Sequence, residues 1–214
     1  MARLVALLLV LLPALARAQE RPGRAPFRYF TQLGDEVLAR VDAVLLGKVE
    51  SVTAVRGSDV VRVSVATWFV GERGVPPGEV TLLAQHGDFF AGTEQLLFLK
   101  RFEGGPRYLL HNRVTCNDPD FEAKLRVLEQ NVALRKLERE EERRRQVRKL
   151  LYDDAAARDG WTRWHAFHEL EHVRRAHADL VTREDREELT RLADRSADPS
   201  FRKALLKLLQ EWTS

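Results

Sequence analysis

The apolar residues of this chain recur with two different periods, and the switch between them near residue 118 constrains the fold more than any other feature. Up to about Thr115 the pattern is that of short strands. Val61, Val63 and Val65 alternate with Arg62, Ser64 and Ala66, which turns one set of side chains to a core and the other to solvent. Val41–Val55 carries the apolar run Ala43-Val44-Leu45-Leu46, and Val80–Leu83, Glu94–Lys100 and Arg107–Leu110 are three further strand candidates. Gly74-Val75-Pro76-Pro77-Gly78, His86-Gly87-Asp88 and Gly104-Gly105-Pro106 separate them. Proline fixes φ there and glycine permits the left-handed region, the combination that tight turns need. Five strands over residues 37–117 predict a small antiparallel barrel with no helix before residue 115, because closure removes exposed sheet edges at this size.

Past Cys116 the period becomes helical. Asp118-Pro119 predicts a helix start, with proline tolerated in the first turn. Phe121, Leu125, Leu128 and Val132 then share one face. The run from Lys136 to Lys149, KLEREEERRRQVRK, predicts a solvated helix face. Its Glu140–Arg144 and Glu141–Arg145 pairs would each contribute about 0.3–0.5 kcal/mol. Thr182-Arg183-Glu184-Asp185 has the spacing of a capping box. Asp198-Pro199 opens a last helix whose Phe201, Leu205, Leu208, Leu209 and Trp212 lie on one side. The expected fold class is α+β, a five-stranded barrel at 37–117 followed by an all-α domain at 118–214.

The N-terminus supplies an address. Met1-Ala2-Arg3 precedes an uncharged run from Leu4 to Leu15, and Ala16-Arg17-Ala18 follows. A basic head, a short apolar run and small residues before a cleavage point are the marks of a secretory signal peptide at 1–18. The run is shorter than the ~20 residues that span a bilayer, and no later stretch is longer. Export to a periplasm or the extracellular space is therefore expected, with Gln19 as the new N-terminus and residues 19–36 as a leader segment. Without Arg3 and Arg17 the 35 basic residues fall to 33 against 32 acidic ones. So balanced a chain has little long-range attraction for nucleic acid. The single Cys116 excludes an internal disulfide framework, and burial is expected for its thiol.

Residues 37–115 resemble the OB-type barrel of netrin-like and tissue-inhibitor-of-metalloproteinase-like modules. The likeness lies in Val41-Asp42-Ala43-Val44-Leu45-Leu46-Gly47-Lys48-Val49, in the valine-rich second strand, and in Gly92–Leu99 followed by Gly104-Gly105-Pro106-Arg107-Tyr108. It implies an exported binding module. Those families carry an N-terminal cysteine and a disulfide framework that this chain lacks, so their metal-directed inhibition is not implied. Arg183–Trp212 resembles one HEAT-type helix pair, notably in Asp198-Pro199-Ser200-Phe201-Arg202-Lys203-Ala204.

One chemical motif stands out. His168-Glu169-Leu170-Glu171-His172 matches H-E-x-x-H. Two imidazoles four apart on a helix can share a zinc ion, with Glu169 as general base. Against it, Glu171 puts a charge between the ligands, and the position of an extended third ligand, 178, is alanine. The competing reading is a helix with Ala166, Leu170 and Val173 on one face and Trp161, Trp164, His165, His168 and His172 on the other, packed between neighbours or forming a partner groove. The leading expectation is a non-enzymatic interaction protein without a cofactor. Its partner would be another protein or an envelope component, met through Trp68, Phe69, Phe89 and Phe90 unless these pack in the core. The alternative is a zinc-dependent hydrolase using His168, His172 and Glu169.

Overall fold

The computed structural model describes residues 35–71, 78–102 and 108–212. The expected signal peptide at 1–18 and nearly all of the expected leader segment at 19–36 lie outside these residues. A short helix, α1 (Asp35–Arg40), precedes the sheet, which corrects the expectation of no helix before residue 115. It forms because Leu38, with Val41 just beyond it, caps an apolar patch on the outside of the sheet.

Five strands follow: β1 (Ala43–Val55), β2 (Ser58–Val70), β3 (Glu79–Gln85), β4 (Glu94–Arg101) and β5 (Tyr108–Thr115). They form one ring in the order β1-β2-β3-β5-β4. Four neighbouring pairs are antiparallel. The ring closes through a parallel seam of two residue pairs, Leu82 with Tyr108 and Leu83 with Leu109. The sheet is therefore mixed, which corrects the antiparallel expectation. Parity is the reason: an odd number of strands cannot alternate direction all the way round a closed ring, so one pair must run parallel.

The inside of the ring is filled by Leu45, Val49, Val61, Val63, Leu82, Leu97 and Leu99, with Phe89 from the β3–β4 loop packed among them. Gly47 allows β1 to bend around this core. A Cβ there would stand 2.6 Å from Val63 Cγ1 and 2.8 Å from the Ser64 carbonyl oxygen, closer than packed atoms tolerate. On the outside, Val44, Leu96 and Phe98 meet Leu38, Phe121, Val127 and Leu128 in a second core. β4 is thus buried on both faces, which is why it is apolar at Leu96, Leu97, Phe98 and Leu99 without alternation.

The remaining helices are α2 (Phe121–Arg135), α3 (Glu140–Ala155), α4 (Gly160–Ala176), α5 (Arg183–Arg195) and α6 (Pro199–Trp212), with one 3-10 turn at Ala178–Leu180. The α2 start differs from expectation. Asp118 sits before the helix, accepting from the Asp120 N–H at 2.9 Å and from Lys124 Nζ at 2.6 Å. The expected Glu140–Arg144 pair is replaced by a longer-range bond, Arg144 Nη2 to Asp179 at 2.8 Å. The capping box forms as predicted, with Thr182 and Asp185 satisfying each other's backbone N–H groups. Asp198 likewise accepts from the N–H groups of Ser200 and Phe201, both at 3.0 Å. The helical core gathers Ala166, Leu170 and Val173 of α4 with Leu189, Phe201, Leu205 and Leu208, and Trp161 at the start of α4 packs against the second core. The helix carrying the HELEH motif is therefore held between neighbours.

Candidate functional site

The β3–β4 loop is fixed at nearly every residue. Asp59 on β2 is buried, and its Oδ1 lies 2.8 Å from His86 Nδ1 while Oδ2 accepts from the Gly87 N–H at 2.9 Å. These hydrogen bonds hold the Asp59 carboxyl below the usual carboxylate range. At the far end of the loop, Gly92 (φ 85°) donates to the Val49 carbonyl at 2.8 Å, and Val49 donates to Thr93 at 2.9 Å. Thr93 Oγ1 donates to the Phe90 carbonyl at 2.7 Å. Between these clamps Phe89 turns into the ring core, covered by the Arg113 guanidinium 5.1 Å above its ring. Arg113 in turn reaches Asp88 at 3.3 Å and Gln95 at 3.5 Å. Phe90 points the other way and is 70% exposed.

Exposing a phenylalanine forgoes roughly 1.5–3 kcal/mol of burial. A loop this tightly tied shows that the exposure is built in. Val55, Phe90, Phe102 and Leu109 are the exposed large apolar residues among the described ones. All four belong to the sheet half of the chain: Val55 ends β1, Phe102 follows β4 and Leu109 lies on β5.

Next to this loop a cleft of about 320 Å³ is lined by Asn112, Arg113, Val114 and Thr115 of β5, by Asp118 and Lys124, and by Trp161 of α4. Lys124 Nζ stands 5.8 Å from the Trp161 ring centroid and is paired with Asp118. Arg113 links the two features, since it lines the cleft and covers Phe89.

The sequence-predicted residues are distributed as follows. Of the four aromatic candidates, Phe89 is core, Trp68 and Phe69 are partly buried against the ring and second cores, and Phe90 alone faces solvent. In the HELEH motif, His168 is turned outward with its side chain 64% exposed and Nδ1 3.3 Å from Glu171. Glu169, about 100° further round α4, is fully buried. The His172 ring lies 6.4 Å from that of His177. His165, 7% exposed, stacks on Trp161 at 5.1 Å, so this face is packed at its N-terminal end while His168 is open to solvent. Among the described residues no group of three or more His, Cys, Asp or Glu side chains is placed to hold a metal ion. Cys116 is a free, partly buried thiol whose pKa is pushed up, chiefly by burial. Among the described residues no helix is long and apolar enough to cross a membrane.

Asp59, Arg113, Lys124 and Trp161 were not singled out by the sequence as one locale. Only Asp59 carried a signal: it shares the inward parity of Val61, Val63 and Val65, where a carboxylate must find internal donors. No protein-family model matches the chain, and no curated protein is similar to it.

Proposed function

We propose that this chain is an exported, non-enzymatic binding module whose sheet half is an OB-type barrel and whose helical half is scaffold. The strand order β1-β2-β3-β5-β4 with its parallel closing seam supports the OB-type reading, as does the filled ring interior. A ring packed with its own side chains leaves no room for an enclosed ligand, so recognition falls to the outer surface and the loops. The observation that carries the proposal is the exposed Phe90 on its clamped loop. A rigid, exposed aromatic loses little conformational freedom on binding, the property of side chains that anchor protein interfaces. The partner is a protein, because a single exposed aromatic and a cleft of mixed charge offer no phosphate-binding or sugar-stacking array.

The test compares the full chain with Phe90→Ser as baits in an extract of the native source, with quantitative mass spectrometry of what each retains. The proposal expects at least one protein held by the parent and lost by the variant, with the variant's stability within about 0.5 kcal/mol of the parent's. Identical retained sets overturn it.

A further inference from the structure

The cleft beside Arg113 has a geometry that specifies what can lie in it. Asn112, Arg113, Val114 and Thr115 all line it. Successive strand residues point to opposite faces, so a cleft that touches four in a row runs along the edge of the strand. One edge of β5 is taken by β4, from Gln95 opposite Thr115 to Arg101 opposite Tyr108. The other edge meets β3 only at Tyr108 and Leu109, and among the described residues no strand continues that pairing from Leu110 onward.

The backbone groups that face this edge can be assigned. The Cys116 N–H donates to the Glu94 carbonyl on the β4 side at 3.1 Å. Alternation then turns the backbone groups of Thr115 and Arg113 away from β4 and toward the cleft. The Arg113 N–H is already met by its neighbour's Asn112 Oδ1 at 2.8 Å, and the Thr115 carbonyl accepts from the Asp118 N–H at 3.0 Å. Among the described residues that leaves the Thr115 N–H and the Arg113 carbonyl, a donor and an acceptor on the side of β5 away from β4. A strand edge of this kind is a template for another strand.

We infer that the partner docks by adding an extended segment of its own chain to this edge of β5, with a carboxylate side chain near Arg113 and an apolar one near Trp161. The inference rests on the binding-module reading and gives it a mode. Main-chain bonds to Thr115 and Arg113 supply the pairing, and side-chain contacts supply the choice of sequence. The charge argument comes from Arg113, whose contacts to Asp88 and Gln95 are long at 3.3 and 3.5 Å, so the guanidinium has donors left for an incoming carboxylate.

The experiment selects binders to the full chain from a phage-displayed library of random twelve-residue peptides, then remakes the best binder with each backbone amide N-methylated in turn. Strand addition predicts losses of tenfold or more at alternate positions, with the intervening ones tolerated. It also predicts that saturating peptide slows hydrogen exchange of the Thr115 amide at least tenfold. Even tolerance along the peptide, an unchanged Thr115 amide, or a library that yields no binder overturns it. The same peptide measured on Phe90→Ala separates the two claims. Affinity lost in that variant together with a flat methylation scan removes strand addition and keeps the binding surface. Affinity unchanged in it, with the scan alternating, removes the Phe90 anchor and keeps the strand edge.

Discussion

Replacing Asp154 by Asn should expose a pH dependence that the parent protein conceals. Asp154 on α3 is only 3% exposed. Burial raises its pKa from 3.8 to about 6, against the opposing pull of the Arg126 charge and a hydrogen bond from Gln130, with Asp153 and Asp159 adding to the rise. The folded state thus holds this proton more tightly than the unfolded chain. The resulting stability is complete below pH 3.8 and is lost as the pH rises through 6. Two units at 1.36 kcal/mol each make the loss about 3 kcal/mol. His165 on α4 is 7% exposed and does the opposite: burial, aided by the His168 charge, lowers its pKa from 6.5 to about 4. Its contribution is complete above pH 6.5 and is lost as the pH falls through 4, again about 3 kcal/mol. Between pH 4.5 and 6.5 the two slopes nearly cancel. Urea denaturation across that window should give a nearly level stability for the parent. Asp154→Asn should gain about 2–3 kcal/mol on going from pH 4.5 to 6.5, and His165→Phe, which keeps the stacking on Trp161, should lose a similar amount. An Asp154→Asn curve parallel to that of the parent refutes the argument.

Three further expectations follow from single contacts. Gly47→Ala should lower stability by about 1–3 kcal/mol in the same assay, since the new Cβ meets Val63 and the Ser64 carbonyl. Cys116 should react with a bulky maleimide at least tenfold more slowly in the native protein than in urea, because the thiol is partly buried and its pKa is raised. N-terminal sequencing of protein purified from its native source should begin at Gln19, and a Met1 or Ala2 start would contradict the proposed export.

The division into strands and helices was legible because period 2 and period 3.6 are each imposed by a single buried face. The parallel seam was also implicit, since five strands in a ring oblige one parallel pair. What the sequence concealed were relations across long separations. Nothing local ties Asp59 to His86 or Arg113 to Asp88, yet those bonds fix the loop that displays Phe90. The same lack of long-range information left Trp68, Phe69, Phe89 and Phe90 equivalent on paper, although Phe89 is core, Trp68 and Phe69 are partly covered and Phe90 alone faces solvent. The HELEH spacing was real on the helix, but the spacing alone says nothing about what lies opposite. Burial of Glu169 and exposure of His168 follow from where α3 and α6 sit. α1 escaped notice because its six residues are too few to display a period.

The account depends on Phe90 being presented by a rigid loop, and native-state hydrogen exchange of that loop tests this directly. The amides of Gly87 and Gly92, bonded to Asp59 and Val49, should exchange at least a hundredfold more slowly than in an unstructured peptide of the same sequence. Exchange of both at the peptide rate contradicts the account.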